Sequence, residues 1–492
     1  MLAGSQNLTG RDETMVQDFP LMIPGASSSS KPVEVSAPFD GAPIATVQTA
    51  DEGAAEQALA TAHALYRDRD NWLKPFERSA ILERTAELMS ERAEELAVEA
   101  AREGGKPLVD SRVEVSRAIE GVKLCAEGAR TMHGTEIPMT SAASANRLSF
   151  TRLEPIGPVL AVSAFNHPLN LIVHQIGPAI ATGCPALVKP AAVTPLSCMR
   201  FVSILREAGL PDEWCQPVLT ASHAVAESMI SDPRLGFFSF IGSGAVGWRM
   251  RSMLAPGTRC ALEHGGVAPV VVAEDADIES MLPILTKGGF YHAGQVCVSV
   301  QRVYAADSIA RQVADGLVAS ATALKVGDPT LAETEVGPLI KTNEVERVHE
   351  WVTEAVAAGA ELLCGGEKLS DTCYAPTVLF DPPDDVRIST SEAFGPIVCV
   401  YSSKSVDESI ERSNALPFAF QSSVFTTNLD TALRCYRRLD ASAIMVNDHT
   451  AFRVDWMPFA GLKVSGYGVG GIEHTMHDMQ IEKMAVIRSL EL

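Results

Sequence analysis

The sequence lacks closely spaced cysteine pairs. Its ten cysteines are scattered singly along 492 residues and form no CxxC motif. A zinc knuckle or a disulfide framework needs such spacing, so neither is expected and no metal site is predicted. Thiols that stay reduced are typical of the cytosol, and a cytoplasmic protein is therefore expected.

Positive charge is also scarce. The chain has 40 Lys and Arg residues against 61 Asp and Glu residues, which gives a formal net charge of −21. A surface this acidic repels the phosphate backbone of DNA and RNA. Nucleic acid is therefore excluded as an expected partner.

Signals for secretion and for membrane insertion are absent as well. The amino terminus, Met-Leu-Ala-Gly-Ser-Gln, has no basic segment followed by an apolar run, so no signal peptide is expected. Polar residues interrupt the most apolar window, 155–188, and this pattern predicts buried globular segments and no membrane span.

The chain is long enough for more than one folded core, and its texture changes along its length. Helical patterns at 51–67, 75–102 and 111–130 precede an extended, polar piece at 135–151 that predicts a hairpin or arm. Short apolar runs then alternate with helical patterns, which is typical of βαβ units and a parallel sheet. A second alternating series follows Cys297, so two α/β domains are predicted. The strand candidates are 159–163, 186–189, 218–220, 236–241, 270–272, 302–305, 397–401, 423–425 and 444–446.

Cys297 ends a glycine-punctuated segment, Gly288-Gly-Phe-Tyr-His-Ala-Gly-Gln-Val-Cys297. Glycines in such a segment leave room for a ligand or another backbone. A thiol becomes a useful nucleophile where local dipoles or a nearby base favour the thiolate. The alternative is a buried structural cysteine, which is common.

Two motifs could hold a phosphorylated ligand. In Phe240-Ile-Gly242-Ser-Gly-Ala-Val-Gly247 a strand pattern runs through glycines into a helical pattern, and a helix amino terminus suits phosphate. Lys189 precedes Pro190 at the end of a predicted strand, from which it could reach a ribose or a phosphate. The alternatives are a plain strand–helix turn and a solvated lysine.

Two further motifs carry candidate catalytic groups. Glu263 follows apolar residues and precedes Gly265-Gly266, so it is either ion-paired or a base with a raised pKa. The amide of Asn166, just after a predicted strand, could donate to an oxyanion. An asparagine turn before Pro168 is the alternative.

Taken in order, these motifs resemble those of the NAD(P)-dependent aldehyde dehydrogenase superfamily. The resemblance runs from about residue 35 to the carboxy terminus and includes Glu392-x-Phe394-Gly-Pro and Pro458-Phe459-Ala-Gly-x-Lys-x-Ser-Gly. It implies an α/β fold with a Rossmann-like cofactor-binding domain, a second α/β catalytic domain and a β-arm for oligomerisation. The implied cofactor-binding domain spans 1–133 and 152–262, and the implied catalytic domain spans 263–462. The implied arm consists of 134–151 and 475–492. The arm would pair across subunits and form a homodimer or homotetramer.

The resemblance also implies roles for individual residues. Thiolate Cys297 would attack the aldehyde, and the Asn166 amide and the Cys297 backbone N–H would hold the oxyanion. Hydride would leave for the nicotinamide, and Glu263 would activate a water that hydrolyses the thioester. The cofactor, NAD or NADP, would contact Lys189, Ala192, Gly242, Ser243, Val246, Gly247, Glu392 and Phe394.

One departure bears on cofactor choice. Many NAD-preferring members carry an acidic residue where this chain has Ala192. The carboxylate that would repel a 2′-phosphate is therefore missing, and acceptance of NADP stays open.

The substrate residues are expected near Arg117, His167, His449 and Arg453. His167 stands where the family often has an aromatic residue, and 447–459 resembles the lactaldehyde and glyceraldehyde-type branch. A histidine and two arginines favour a small polar or anionic aldehyde, including phosphono- and sulfo-substituted ones. Alternatively, these charges form a structural network.

Two rival functions share these motifs. A CoA-acylating relative generally lacks the catalytic glutamate, so Glu263 argues against it. A non-catalytic scaffold of the same fold would not need Cys297, Asn166 and Glu263 together.

Overall fold

The computed structural model describes residues 16–28 and 31–492. The prediction that no signal peptide is present concerns residues outside these ranges. Among the described residues, no helix is both long enough and apolar enough to cross a bilayer.

The amino-terminal region combines a three-stranded sheet with four helices. Its elements are β1 (Gln17–Phe19), β2 (Val33–Ser36), β3 (Pro43–Val47), α1 (Glu52–Arg67), α2 (Pro75–Glu91), α3 (Ala93–Gly104) and α4 (Leu108–Thr131). Asp51 caps α1 by accepting a hydrogen bond from the Ala54 N–H at 2.9 Å. The single helix predicted over 75–102 is wrong at Arg92, where φ is −112° and ψ is 18°. No glycine or proline marks this break, so periodicity could not locate it.

A six-stranded sheet follows. Its strands and helices, with the two strands that precede them, are β4 (Glu136–Ile137), β5 (Arg147–Pro155), β6 (Val159–Val162), α5 (Asn170–Thr182), β7 (Ala186–Lys189), α6 (Leu196–Glu207), β8 (Cys215–Pro217), α7 (His223–Ile230), β9 (Phe237–Ile241), α8 (Gly244–Ser252) and β10 (Arg259–Glu263). The strand predicted at 218–220 is wrong by three residues.

The five parallel strands of this sheet run in the order β8-β7-β6-β9-β10. The order reverses direction between β6 and β9. In doubly wound sheets, dinucleotides bind at such a point, in the crevice beyond the carboxyl ends of the strands. The predicted Rossmann-like sheet is confirmed.

The second α/β region forms a seven-stranded sheet. Its elements, together with the short β16, are β11 (Pro269–Val272), α9 (Ile278–Phe290), β12 (Arg302–Ala306), α10 (Ala310–Ala323), α11 (Thr342–Ala357), β13 (Glu361–Cys364), β14 (Thr377–Phe380), α12 (Arg387–Thr390), β15 (Ile397–Ser403), α13 (Val406–Asn414), β16 (Phe418–Ala419), β17 (Gln421–Phe425), α14 (Leu429–Arg438) and β18 (Ala443–Val446). The strand order is β13-β14-β15-β12-β11-β17-β18, with β13 antiparallel to its neighbour and the other pairs parallel. Helices cover both faces, so the interior strand β11 is fully buried.

The carboxy-terminal region returns to earlier parts of the fold. It contains β19 (Leu462–Lys463), β20 (Gly466–Tyr467), α15 (Ile472–Asp478) and β21 (Gln480–Arg488). Strand β20 adds to the edge of the six-stranded sheet beside β10. Strand β21 pairs along the whole of β5, with β4 on the other side of β5. The extended piece predicted near 135–151 therefore belongs to a separate three-stranded sheet.

Candidate active site

The carboxyl edge of the six-stranded sheet collects four of the residues singled out from the sequence. Lys189 and Glu263 are the last residues of β7 and β10, Gly242 directly follows β9, and Asn166 follows β6. Parallel strands end at the same edge, so residues far apart in the chain meet there. Sequence reasoning placed Lys189, Gly242 and Asn166 at strand ends but did not identify the strand that ends at Glu263, and the sheet order brings the four residues to one edge.

Cys297 reaches this edge through an unusual turn. After α9 the backbone is left-handed at His292 (φ 50°), Ala293 (φ 53°) and Gly294 (φ 67°). A Cβ added to Gly294 would lie 2.1 Å from the carbonyl oxygen of Gly395, so only glycine fits this close approach. The turn packs the segment that carries Cys297 against the segment that carries Glu392.

The Cys297 thiol is held in its protonated form. Burial, together with the nearby carboxyl groups of Glu392 and Glu263, raises its pKa to about 12, although Arg453 and its own backbone N–H act in the opposite direction. The expected stabilisation of thiolate by local dipoles is therefore outweighed in this structure. Attack by this sulfur requires a base that removes the proton as the bond forms.

Glu263 has the properties of such a base. Burial raises its pKa to about 7, and the positive charge of Arg453 limits the rise. Its Oε1 lies against Gly470, where an added Cβ would come within 2.1 Å of it. Within the described residues its carboxyl group forms no salt bridge, so the alternative of a structural ion pair does not hold there.

Asn166 lies beside the sulfur segment and is buried. Its Nδ2 donates a hydrogen bond to the backbone carbonyl of Gln295 at 3.0 Å. A side-chain amide has two N–H donors, so one is still available. Together with the Cys297 backbone N–H, which lies near its own sulfur, the site offers two donors for an oxyanion.

The turn between β9 and α8 is open to a ligand. Ser243 is the N-cap residue of α8, but its hydroxyl makes no capping hydrogen bond, and Val246 is exposed on the first turn. A Cβ added to Gly247 would lie 2.0 Å from Cε1 of His264, so the helix start packs directly on this ring. The free hydroxyl and the free N–H groups of the first turn suit a phosphate.

Three other predicted cofactor residues line the same crevice. Lys189 is half-buried, burial lowers its pKa, and its side chain has no hydrogen-bond partner in the described part of the chain. Glu392 presents a buried Oε1 without a partner, and burial raises its pKa to about 8. Phe394 packs edge-on against Phe165 at 5.9 Å. Unpartnered cationic and carboxyl groups of this kind fit the hydroxyls of a ribose. Ala192 is exposed in the turn after β7.

The four expected substrate residues separate into two pairs by their partners. Arg453 lies near the thiol, because the two groups influence each other's pKa, and it also lies near His167, whose pKa its charge lowers. His449 already has a hydrogen-bond partner nearby in the sequence, because its Nδ1 accepts from the Ala451 N–H at 3.1 Å. Arg117 is engaged by Asp455, to which its Nη2 donates at 2.7 Å and its Nε at 3.1 Å.

Sequence reasoning missed two buried groups at this site. His174 lies on α5, and its Nε2 is 2.6 Å from Oδ1 of Asp455. Nζ of Lys106 is 2.8 Å from Nδ1 of His167. An ionisable residue inside an apolar helical run, as at His174, is a usable signal. A lysine between Gly105 and Pro107, where no charged surface pattern surrounds it, is another.

Comparisons with known proteins agree with this geometry. Residues 25–485 match the model of the aldehyde dehydrogenase family. The chain is 35% identical over 477 residues to the 3-sulfolactaldehyde dehydrogenase of Priestia aryabhattai, which covers 96% of the chain and 99% of the relative. This chain belongs to the aldehyde dehydrogenase family, and the predicted class, an NAD(P)-dependent aldehyde dehydrogenase, is confirmed.

Two solved structures of family members are similar to this chain over nearly its whole length. Aldehyde dehydrogenase 21 from Physcomitrella patens, solved with the reaction product succinate, matches with a TM-score of 0.92 and 33% identity, covering 97% of this chain and 99% of that one. Glyceraldehyde-3-phosphate dehydrogenase from Methanocaldococcus jannaschii, complexed with NADP, matches with a TM-score of 0.89 and 33% identity, covering 94% and 100%. These relatives agree with the predicted lactaldehyde- and glyceraldehyde-like branch.

Proposed function

We propose that this enzyme oxidises a small aldehyde carrying an anionic group to the carboxylic acid, with NAD or NADP and through a thioester on Cys297. The environment of Arg453 is the observation that supports an anionic group on the substrate. Its Nη1 is buried without a hydrogen-bond partner in the described residues, and burial lowers its pKa to about 10. A buried cation without a partner is costly, and an anionic substrate would supply the missing one.

The surroundings of Arg453 hold its guanidinium in place. Glu263 and Asp455 favour its charged form, but neither forms a salt bridge with it among the described residues. The group stacks over the Phe459 ring at 3.7 Å, which fixes its plane. The neighbouring Arg117 is already compensated by Asp455, which His174 also contacts. Arg453 is therefore the available cation beside Cys297. In three of the relatives, the named substrate or product carries an anion: sulfolactaldehyde, glyceraldehyde 3-phosphate and succinate. Lactaldehyde, named for a fourth relative, is neutral.

The chain's own groups divide the reaction between them. Cys297 attacks the aldehyde carbon while Glu263 takes the thiol proton, and the free Asn166 N–H and the Cys297 N–H donate to the oxyanion. After the acyl thioester forms and Glu263 has released the thiol proton to solvent, Glu263 takes a proton from the attacking water. The carbon–sulfur bond then breaks, which frees the acid and the Cys297 sulfur. The Arg453 guanidinium holds the substrate anion throughout, so that the carbonyl carbon stays next to the sulfur.

The residues present fit a dinucleotide cofactor. The unpartnered Ser243 hydroxyl and the α8 amino terminus would hold the pyrophosphate, and Lys189 and Glu392 would hold the riboses. When bound, the nicotinamide supplies the hydride acceptor. Phe394 would border the nicotinamide, and Gly242, Val246 and Gly247 would line the phosphate turn. Ala192 leaves room for either NAD or NADP.

Three further features belong to the same proposal. The six- and seven-stranded sheets support the division into a cofactor-binding domain, 1–133 with 152–262, and a catalytic domain, 263–462. The three-stranded sheet supports an oligomerisation arm, 134–151 with 475–492, in a homodimer or homotetramer. The ten free cysteines support a cytoplasmic location.

The Arg453→Ala variant tests the anionic substrate. The expected result is a rise of about 10- to 100-fold in KM for glyceraldehyde 3-phosphate, because a charge-assisted contact is lost, and a much smaller rise for propanal. Steady-state kinetics with both aldehydes give the measurement. Arg69→Ala, which removes an exposed arginine paired with Glu154, is the matched control. Equal effects on the two aldehydes would remove Arg453 from substrate binding.

A CoA-acylating activity is the second candidate function, and Glu263 argues against it. Its carboxyl group lies close enough to the thiol to raise the thiol pKa, a position suited to activating water. Adding CoA to the assay should leave the product a free acid. Formation of acyl-CoA at a rate that matches cofactor reduction would overturn this assignment.

A further inference from the structure

We infer that His167, held in a single tautomer by Lys106, is a specificity residue that recognises a hydroxyl group on the carbon next to the aldehyde. The inference rests on the proposed oxidation of a small aldehyde at Cys297. It concerns 2-hydroxyaldehydes as a class, whether or not they also carry an anion.

The inference begins with a buried ion pair. Lys106 and Glu114 are both almost completely buried, and the ammonium of Lys106 contacts Oε2 of Glu114. The other oxygen, Oε1, accepts hydrogen bonds from the backbone N–H groups of Leu169 and Asn170 at 2.9 and 3.0 Å. Burial lowers the pKa of Lys106, and the adjacent Glu114 carboxyl group acts in the opposite direction and favours the charged lysine.

The charged lysine decides how His167 carries its proton. Nζ of Lys106 lies 2.8 Å from Nδ1 of His167. An ammonium group is a donor and has no acceptor capacity, so Nδ1 must accept. A neutral imidazole that accepts at Nδ1 carries its hydrogen on Nε2. Lys106 thus makes Nε2 of His167 an obligatory N–H donor.

Burial and four neighbouring side chains keep the imidazole of His167 neutral and in place. Burial and the positive charges of Lys106, Arg117 and Arg453 lower its pKa well below the usual value. The ring packs edge-on against His292 at 6.3 Å, and His292 is completely buried. Protonation would put a second positive charge beside Lys106, so His167 stays a neutral donor.

The Nε2 atom is free to meet a ligand. Both ring nitrogens of His292 are sealed from solvent, whereas Nε2 of His167 is not sealed and has no hydrogen-bond partner among the described residues. His167 directly follows Asn166, whose amide would hold the aldehyde oxygen. Arg453 acts electrostatically on both His167 and Cys297, which places the imidazole in the same region as the sulfur. On a small aldehyde bound at that sulfur, the carbon next to the aldehyde is the nearest position that can carry a polar group. A hydroxyl there can accept from Nε2–H.

A pairwise comparison isolates the 2-hydroxyl. One pair is glyceraldehyde 3-phosphate and 3-oxopropyl phosphate, and the other is lactaldehyde and propanal; each pair differs at the hydroxyl-bearing carbon by that group. The ratio of kcat/KM within a pair is measured in wild type and in His167→Phe, so that intrinsic differences in aldehyde reactivity cancel. In both pairs, replacing this buried donor should lower the ratio about fivefold to tenfold.

The conservative variant His167→Gln places an amide N–H near the position of Nε2 and should retain more than half of the wild-type ratio. An unchanged ratio in His167→Phe would overturn the inference. So would an equal loss in the glutamine and phenylalanine variants, because that outcome would follow from a role in packing.

The role of Lys106 is tested with Lys106→Met combined with Glu114→Gln, which removes both buried charges together. The hydroxyl ratio should fall in this double variant, since the tautomer is no longer imposed. A folded double variant with the wild-type ratio would overturn the role of Lys106. If the double variant does not fold, the His167 variants alone decide whether His167 recognises the hydroxyl. Failure of the anionic proposal would appear differently, as equal effects of Arg453→Ala on charged and neutral aldehydes.

Discussion

At the scale of single residues, the site contains one thiol close to the carboxyl groups of Glu392 and Glu263. Cys297 and Glu263 were singled out from their motifs and given roles by the family resemblance, and the structure brings them together. Their electrostatics were not visible in the sequence, because the pKa of a group depends on neighbours that folding supplies. Burial of Cys297 next to Glu392 and Glu263 raises the thiol pKa, whereas the motif suggested an activated thiolate.

The Glu263→Gln variant should slow both halves of the reaction, because Glu263 serves as the base for the thiol and for the water. The first turnover of reduced cofactor and the steady rate should therefore both fall, by about 10²- to 10⁴-fold. Stopped-flow absorbance of the reduced nicotinamide measures both phases. Cys297→Ala is the control and should show neither phase. A first turnover at the wild-type rate followed by a slow steady rate in Glu263→Gln would mean that Glu263 acts only on the water.

The pH dependence follows from the same carboxyl group. Glu263 acts in its deprotonated form, and its pKa is raised to about 7, so kcat/KM for propanal should increase as pH rises through neutrality. Arg453 lowers this pKa, and removing its charge in Arg453→Ala should therefore move the midpoint to higher pH. A pH profile of both proteins tests the direction. A midpoint that stays in place or moves to lower pH would contradict the assigned coupling.

At the scale of elements, the start of α8 is the part of the cofactor crevice most sensitive to substitution. The glycine pattern at 242–247 predicted a strand–turn–helix, and β9 and α8 confirm it. The contact between Gly247 and the His264 ring was not predictable, because these residues meet only after β10 is placed beside β9. The same limit explains the missed break at Arg92, which no local signal marks.

Gly247→Ala should weaken cofactor binding by displacing the start of α8 from His264. The added Cβ would lie 2.0 Å from the ring, so the helix or the ring must move. A rise in KM for NAD of roughly tenfold and a stability loss of about 1–3 kcal/mol are expected for such overpacking. Kinetics and thermal unfolding measure the two effects. Gly53→Ala on α1, where the nearest atom would be 3.4 Å away, is the control and should leave KM for NAD unchanged.

At the scale of the whole molecule, the three-stranded sheet leaves apolar side chains uncovered. Met484 and Val486 lie two residues apart on β21, so they share one face, and they are 58% and 53% exposed. Side chains of this kind on a strand paired along its whole length with β5 fit an interface between subunits. The arm was expected by resemblance, and its assembly role stays a prediction.

Replacing both Met484 and Val486 with Glu should shift the protein to a smaller species, because burying two carboxylates at an interface is costly. Sedimentation velocity measures the mass, and thermal unfolding checks that the subunit still folds. Glu482→Gln, an exposed substitution on the same face, is the control. A double variant that keeps the wild-type mass would exclude this face from the interface.

The sequence by itself determined the α/β class, because the alternation of apolar runs with helical patterns is a local property, and its ordered motifs carried the resemblance to the family. It also singled out Cys297, Glu263 and Asn166 within those motifs. Only the tertiary structure decided that Asp455 pairs with Arg117, whereas Nη1 of Arg453 has no hydrogen-bond partner among the described residues. Charge compensation depends on distances between helices and loops that are far apart in the chain, and those distances exist only once the sheets have packed.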